Sequence, residues 1–340
     1  VELFATEQAN AVQADLMAIV DRFNGQKLLV IGDLIADVYL EGRISRISRE
    51  APVLILEHAG ETMVPGGAAN VINNATALGG NVIAAGVVGA DGPGAELIRL
   101  LQANRINTEG LFTAADRPTI TKTRIIAGGI AAVTQQVVRI DRAAQGPIAP
   151  AAEAHLLATI TAWINQVKAV IVSDYGYNSI TPAVRELTIA QCRAANIPCI
   201  VDSRYAIRSF QGVTIVKQNE LELEAAVGYS LTDEPTLIRA GRELLAFLQA
   251  ETVIITRGPD GITLFERDGP VTQIPVTNAS EVFDVSGAGD TVVAVMMLSL
   301  AAGASCQDAA RLANYAAGVV VRKLGTATLS RAELQQAIGG

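Results

Sequence analysis

Short apolar runs recur along this chain, each followed by a stretch with helical spacing, and that alternation most restricts the fold. Lys27-Leu28-Leu29-Val30-Ile31-Gly32, Val82–Val88, Ala169–Asp174, Cys199–Asp202, Thr214–Val216 and Thr252–Thr256 read as strands. Continuous aliphatic runs without polar alternation suit parallel strands covered on both faces. Ala154–Ile164, the stretch after Thr181-Pro182, the stretch from Asn219, and Leu237–Leu248 read as helices. Thr181 supplies an N-cap with proline at the first helical position, and Ser330 with Glu333 supplies a capping box for the last helix. Strand–helix alternation imposes right-handed crossovers, so the expected class is α/β: a mostly parallel sheet with helices on both faces. The composition agrees, since 50% of the 340 residues are hydrophobic but only 4% aromatic, which leaves an aliphatic core.

Two regions break the rhythm. Val38–Val64 and Thr119–Ile140 read as extended, partly polar segments, forming a small β lid over about 38–64 and 118–140. Gly261–Phe265 with Val271–Ile274 reads as a hairpin. No repeat or linker divides the chain, so one domain over 1–340 with a lid is expected rather than two domains.

The chemistry concentrates at Asp284-Val285-Ser286-Gly287-Ala288-Gly289-Asp290-Thr291, which opens an apolar run from Thr291 to Leu300. The glycines let the backbone approach a ligand, and the helix start offers free N–H groups and a favourable dipole to an anion. Asp290 at this entry can accept a proton from an attacking hydroxyl; the same residue is also a favoured N-cap. Asp33 ends the first strand, where α/β sheets meet ligands, though an aspartate after glycine also builds turns. Pro65-Gly66-Gly67-Ala68-Ala69-Asn70 opens a second glycine-rich helix. Asn219-Glu220-Leu221-Glu222 starts a helix after a strand, where Glu222 can hold Mg2+ through water or simply begin a helix. Thr256-Arg257-Gly258-Pro259-Asp260-Gly261 lies at another strand end, where amides can meet phosphates. Together these sites suit phosphoryl transfer, which needs positioning and charge neutralisation.

Other classes are disfavoured. A net charge of −8 opposes a nucleic-acid partner. No G-x-x-x-x-G-K-[ST] is present, and no G-x-G-x-x-G follows the first strand, so a P-loop NTPase and a Rossmann dehydrogenase are not expected. Cys192, Cys199 and Cys306 have neither metal-ligand nor disulfide spacing, which suits the cytoplasm. No signal peptide is expected, and the apolar run Val292–Ala302 is too short to span a bilayer.

The chain resembles the ribokinase-like (PfkB) carbohydrate kinases from about Lys27 to Ser330. The carriers are Gly32-Asp33, Gly66-Gly67 with Asn70, Asn219 with Glu222, Thr256-Arg257-Gly258, and Asp284 through Asp290. Within that family it is most similar to heptose 7-phosphate kinases. That likeness lies in Ser45-Arg46-Ile47-Ser48, Glu50–Val53, Pro65–Asn70, Thr121-Lys122, Gln135-Gln136, Arg139–Asp141, Ser173-Asp174-Tyr175 and Lys323–Thr326. This sequence holds the kinase part of the likeness, without the nucleotidyltransferase domain often fused behind it.

The resemblance implies Asp290 as base and the amides of Gly287, Ala288 and Gly289 as anion hole. Asn219 and Glu222 would serve Mg2+ and phosphate, and Thr256, Gly258, Gly261 and Asn314 would lie near ATP. Asp33, Gly66, Gly67, Asn70, Lys122 and Arg46 would meet the sugar, with Arg46 on its phosphate. In an extended lid, Arg43 and Arg49 would share one face and Arg46 take the other. A monovalent cation such as K+ is implied near Asp284 and Ser286, and a homodimer through the lid. The sequence departs from the heptose-kinase pattern where Tyr177 and Asn178 replace Lys-Gly, Asp202-Ser203-Arg204 replaces Asp-Pro-Lys, and Lys217-Gln218-Asn219 replaces Thr-Pro-Asn. These changes bear on the sugar and leave the transfer residues in place.

Overall fold

Helix α1 (Glu2–Asp21) leads into β1 (Lys27–Gly32), the aliphatic run that anchors the sheet. Two long arms follow, β2 (Leu34–Ile47) and β3 (Leu54–Gly67), then α2 (Ala68–Ala77), β4 (Asn81–Gly89), α3 (Gly92–Ala103) and β5 (Asn107–Ala114). A second antiparallel pair, β6 (Ile120–Gly129) and β7 (Ala132–Arg142), precedes α4 (Pro150–Trp163). The chain continues through β8 (Ala169–Asp174), α5 (Pro182–Ala195), β9 (Cys199–Ser203), β10 (Ile215–Asn219), α6 (Glu220–Val227), α7 (Glu234–Leu248) and β11 (Thr252–Thr256). It closes with the hairpin β12 (Ile262–Glu266) and β13 (Val271–Ile274) and the helices α8 (Ala288–Ala301), α9 (Cys306–Val320) and α10 (Arg331–Gly339). This computed structural model describes residues 2–129, 132–276 and 282–340.

The large sheet has the order β13-β12-β11-β10-β9-β8-β1-β4-β5 and is parallel from β11 to β5, with an antiparallel edge at β12 and β13. Side chains alternate along each strand. Leu28 and Val30 of β1 therefore join the core under α1, α2, α8, α9 and α10, while Leu29 and Ile31 join the core under α4, α5 and α7. Helix α8, from Thr291 to Ser299, is buried all round. The expected α/β class with helices on both faces is the one observed.

The smaller sheet has the order β3-β2-β6-β7. Its arms are longer than the sequence pattern suggests, because their polar outer halves carry no buried period. Pro65-Gly66-Gly67 ends β3 rather than opening α2, which begins at Ala68. Pairing shifts between Glu41 and Gly42 and again between Ile44 and Arg46. These irregularities interrupt simple alternation, and Arg49 lies beyond β2, so the expected facing of Arg43, Arg46 and Arg49 does not hold. Strand β5, which the sequence pattern did not single out, is a mixed-polarity sheet edge.

Candidate active site

The chain leaves β1 toward β4 and leaves β8 toward β9, in opposite directions across the sheet. The ligand crevice of an open α/β sheet lies at such a reversal, outside the strand carboxyl ends. Those ends carry Asp33 and Tyr175. Asp33 has no exposed surface. Its Oδ2 accepts the amides of Tyr175 at 2.9 Å and Tyr177 at 3.0 Å, and its Oδ1 accepts Ser179 N–H at 3.1 Å. The carboxylate expected at a sugar hydroxyl thus also fixes the turn after β8.

At the centre stands Asp290, in the first turn of α8 and 5% exposed. Asn70 Nδ2 donates to its Oδ2 at 2.7 Å and the Tyr175 phenol donates to its Oδ1 at 2.8 Å. Burial pushes the carboxyl up to about 6, against the lowering effect of these two hydrogen bonds and of Lys217. A carboxyl poised near neutrality is suited to accept a proton. Asn70 was expected to bind sugar, but its nitrogen serves Asp290 and its Oδ1 accepts from Asn74 at 3.1 Å. Gly287 caps α8 in the left-handed region, φ 79°, and a Cβ there would stand 2.6 Å from Asn70 Nδ2. Only glycine meets both demands. Among the described residues the amides of Gly287 and Gly289 donate to no protein acceptor, whereas Ala288 N–H reaches Val285 O at 3.2 Å. The two glycines are thus among the free donors at this helix start.

Lys217, in the middle of β10, is a residue that the sequence marked only as a departure. It is 5% exposed, and its Nζ donates to Asp202 Oδ2 at 2.9 Å. A Cβ on Gly289 would stand 2.9 Å from that Nζ, so the ammonium lies against the first turn of α8. Burial opposes its charge, but Asp202, Glu222 and Asp290 outweigh burial and hold its ionisation above the usual range. Asn219 and Glu222 form a complete capping box: Asn219 Oδ1 accepts Glu222 N–H, and Glu222 Oε2 accepts Asn219 N–H, both at 2.8 Å. Burial raises the Glu222 carboxyl despite Lys217. Its Oε1 has no protein partner among the described residues.

On the smaller sheet's side, Arg124 Nη1 meets Asp37 Oδ1 at 2.6 Å. A Cβ on Gly66 would collide with the Asp37 carboxylate, so glycine is needed there for close approach. Asp37, four residues after Asp33, is itself only 3% exposed. Lys122 lies 5.1 Å from the centroid of the Tyr175 ring and 6.0 Å from that of Tyr177, and Arg204 lies 5.9 Å from Tyr175. Burial depresses the Lys122 ammonium, and Arg204 and Arg139 add to this while Asp37 and Asp141 oppose it. Arg46 is not brought to this group. It pairs with Ile55 near the turn joining β2 to β3, is exposed, and makes no hydrogen bond among the described residues.

Further along the strand ends, Thr256 is in register with Asn219, and its hydroxyl donates to Gln218 O at 3.4 Å. Gly258 and Gly261 bound the turn into β12, and Asn314 of α9 donates to Pro275 O at 2.7 Å. Arg257 beside them is occupied by Glu220, Glu234 and Asp260. Asp284 accepts the amides of Ser286 at 2.8 Å and Gly325 at 3.0 Å. Burial alone would raise its carboxyl, but these bonds outweigh burial and hold it low.

Residues 26–333 match the family described as pfkB family carbohydrate kinase. The chain belongs to that family. The kinase is 43% identical over 312 residues to the bifunctional protein HldE of Geobacter metallireducens, covering 92% of this chain and 62% of the relative. It is 42% identical over 320 residues to the bifunctional protein HldE of Citrifermentans bemidjiense, covering 94% and 64%. It thus spans a little under two thirds of these relatives. Among solved structures it resembles Arabidopsis thaliana ribokinase complexed with ribose and ATP (TM-score 0.72, 16% identity, 93% of this chain and 99% of that one). It also resembles Escherichia coli phosphofructokinase-2 in complex with potassium (TM-score 0.74, 21% identity, 93% and 98%). At such identities the likeness is one of fold. As a carbohydrate kinase it is a phosphotransferase with a hydroxyl acceptor, and its family implies use of ATP.

Proposed function

We propose that the kinase transfers the γ-phosphoryl group of ATP to a hydroxyl of an already phosphorylated sugar, with heptose 7-phosphate the acceptor its sequence likeness names. The observation that carries this is the gathering of Lys122 and Arg204 about Tyr175, with Arg139 in the field of Lys122, in a chain of net charge −8. Cations clustered beside a buried base suit an anionic acceptor.

In this reading the acceptor oxygen attacks the γ-phosphorus, the bond to the bridging oxygen breaks, ADP leaves, and Asp290 holds the proton. The free amides of Gly287 and Gly289, the α8 dipole and Lys217 neutralise charge on the group in transit. No cluster of three metal-ligating side chains occurs among the described residues. One partly buried carboxylate, Glu222, with a spare oxygen fits Mg2+ held mainly by phosphates and water. Mg2+ when bound would supply further charge neutralisation. Thr256, Gly258, Gly261 and Asn314 would border the nucleotide, and K+ would sit beside Asp284 and Ser286. Exposed Ile44, Ile47, Val53, Leu54, Val138 and Ile140 favour a homodimer through the smaller sheet, which would act as a lid on a single kinase unit. Among the described residues no helix is long and apolar enough to cross a membrane; we assign the kinase to the cytoplasm on its three free cysteines, which suit a reducing compartment.

The test is incubation with ATP and Mg2+ against free and phosphorylated sugars, with products identified by mass. Phosphate added to heptose 7-phosphate is expected. Transfer to free sugars alone would overturn the reading in favour of a second one, which Tyr177 in place of lysine supports.

A further inference from the structure

Both oxygens of the Asp290 carboxylate are clamped, and each clamp is itself anchored. Asn70, on Oδ2, accepts Asn74 Nδ2–H at its own Oδ1, and Asn74 Oδ1 in turn accepts from Thr291 Oγ1 at 3.1 Å. Tyr175, on Oδ1, is tied through its amide to buried Asp33, and its ring is flanked by Lys122 and Arg204. An aspartate's terminal torsion is broad and roughly two-fold, so the plane of a free carboxylate is poorly defined. Two opposed donors from different elements define it. One of these donors comes from the same side as the cations assigned to the acceptor.

We propose that Tyr175 is a positioning residue for phosphoryl transfer, its phenol fixing the Asp290 carboxylate in plane and in the anionic form that takes the acceptor's proton. This rests on Asp290 being the base of the reaction proposed above. The phenol is not the base itself. Burial, and then the charges of Asp290 and Asp202, push its ionisation well above the usual range, so it remains a donor. The other charged groups facing Asp290 are Asp202 of β9, which disfavours its charge, and Lys217 of β10, which favours it. Lys122 of β6 and Arg204, just beyond β9, face the ring. A change confined to the phenol oxygen leaves all four in place.

Tyr175→Phe is that change, since it keeps the ring and the amide bonded to Asp33. Loss of a hydrogen bond to a charged group is expected to weaken ionisation about tenfold. The acid limb of kcat/KM for the acceptor should therefore move up by about one pH unit. The variant should lose about tenfold near pH 5 and recover most of it above about pH 8, with KM for ATP within about twofold. A limb at its original position, with no loss or with a loss uniform in pH, would overturn the proposal. A second measurement needs no acceptor: carboxyl NMR of protein labelled at aspartate, with the Asp290 signal identified by its absence in Asp290→Asn. Its midpoint should rise by about one unit in Tyr175→Phe. An unmoved midpoint refutes the role of Tyr175 even if the acceptor proposed above is wrong. A moved midpoint without transfer to any sugar phosphate would leave Tyr175 in place and refute the acceptor.

Discussion

The floor of the site and the smaller sheet above it handle polar side chains in opposite ways. At the floor, Asp33, Asn70, Asp290 and Lys217 are buried, and each is bonded to a named partner. On the smaller sheet Arg43 and Arg46 are exposed and without hydrogen bonds among the described residues, while Lys122 and Arg124 at its root are only partly covered. Buried groups need partners, because an unpaired polar atom in a low-dielectric interior is costly. The floor is accordingly fixed before any ligand arrives, which suits a transfer reaction that depends on positioning. Arg124 is paired with Asp37, but Arg43, Arg46 and Lys122 make no ion pair among the described residues, and an anionic substrate can complete the pairing of Lys122.

The sharpest way to break this division is Asp290→Asn. A positioned base contributes ~10²–10⁴-fold, so turnover should fall by that order while ATP affinity holds; near-normal turnover would remove Asp290 from the chemistry. The same variant should gain stability. Because its folded-state value is raised to about 6 from 3.8, Asp290 favours folding fully only below about pH 4, and that contribution is lost as pH rises to about 6. Asp290→Asn should therefore be the more stable protein at pH 7, by on the order of 1–3 kcal/mol, with the gap narrowing toward pH 4 in urea titrations. A gap independent of pH would show the carboxylate to be unstrained.

Next in size is Lys217→Met, which leaves Asp202 without its cation. Breaking a buried pair costs about 3 kcal/mol, and Lys217→Met with Asp202→Asn should recover much of it. If the single variant is as stable as wild type, the floor is less tightly paired than its geometry indicates. On the sheet, Lys122→Ala should raise KM for a sugar phosphate roughly ten- to a hundredfold, and Arg46→Ala less than about threefold. A larger effect at Arg46 would move recognition out to the arm's tip. A modest effect is expected at Glu222→Gln. Apparent Mg2+ affinity should fall severalfold, and excess Mg2+ should restore part of the rate; an unchanged Mg2+ titration would leave Glu222 as a helix cap alone.

The two regions also differ in how far the sequence revealed them. Strands β1, β8 and β11 were legible to the residue, since each is an unbroken aliphatic run between polar ends. Asp290 was legible because glycines and a long apolar helix bracket it. Strand β5 was not, since an edge strand with mixed burial carries no clean period. The arms β2 and β3 were underestimated for the same reason. Tyr175 and Lys217 were missed as site residues because they stand 115 and 73 positions from Asp290 in the sequence (290 − 175 and 290 − 217), and only the strand order β10-β9-β8 brings them together. The hold of Asp33 on the turn after β8 was not legible, because an aspartate at a strand end looks the same whether it faces a ligand or the amides of the next turn.

The most direct measurement is the ratio of kcat/KM for heptose 7-phosphate to that for the same sugar without its phosphate, in wild type and in Lys122→Ala. A fixed floor beneath a cationic rim should give wild type a ratio of at least about ten, and Lys122→Ala a ratio close to about one with kcat on the free sugar unchanged. A wild-type ratio at or below about one, or a ratio untouched by Lys122→Ala, would contradict that division of labour.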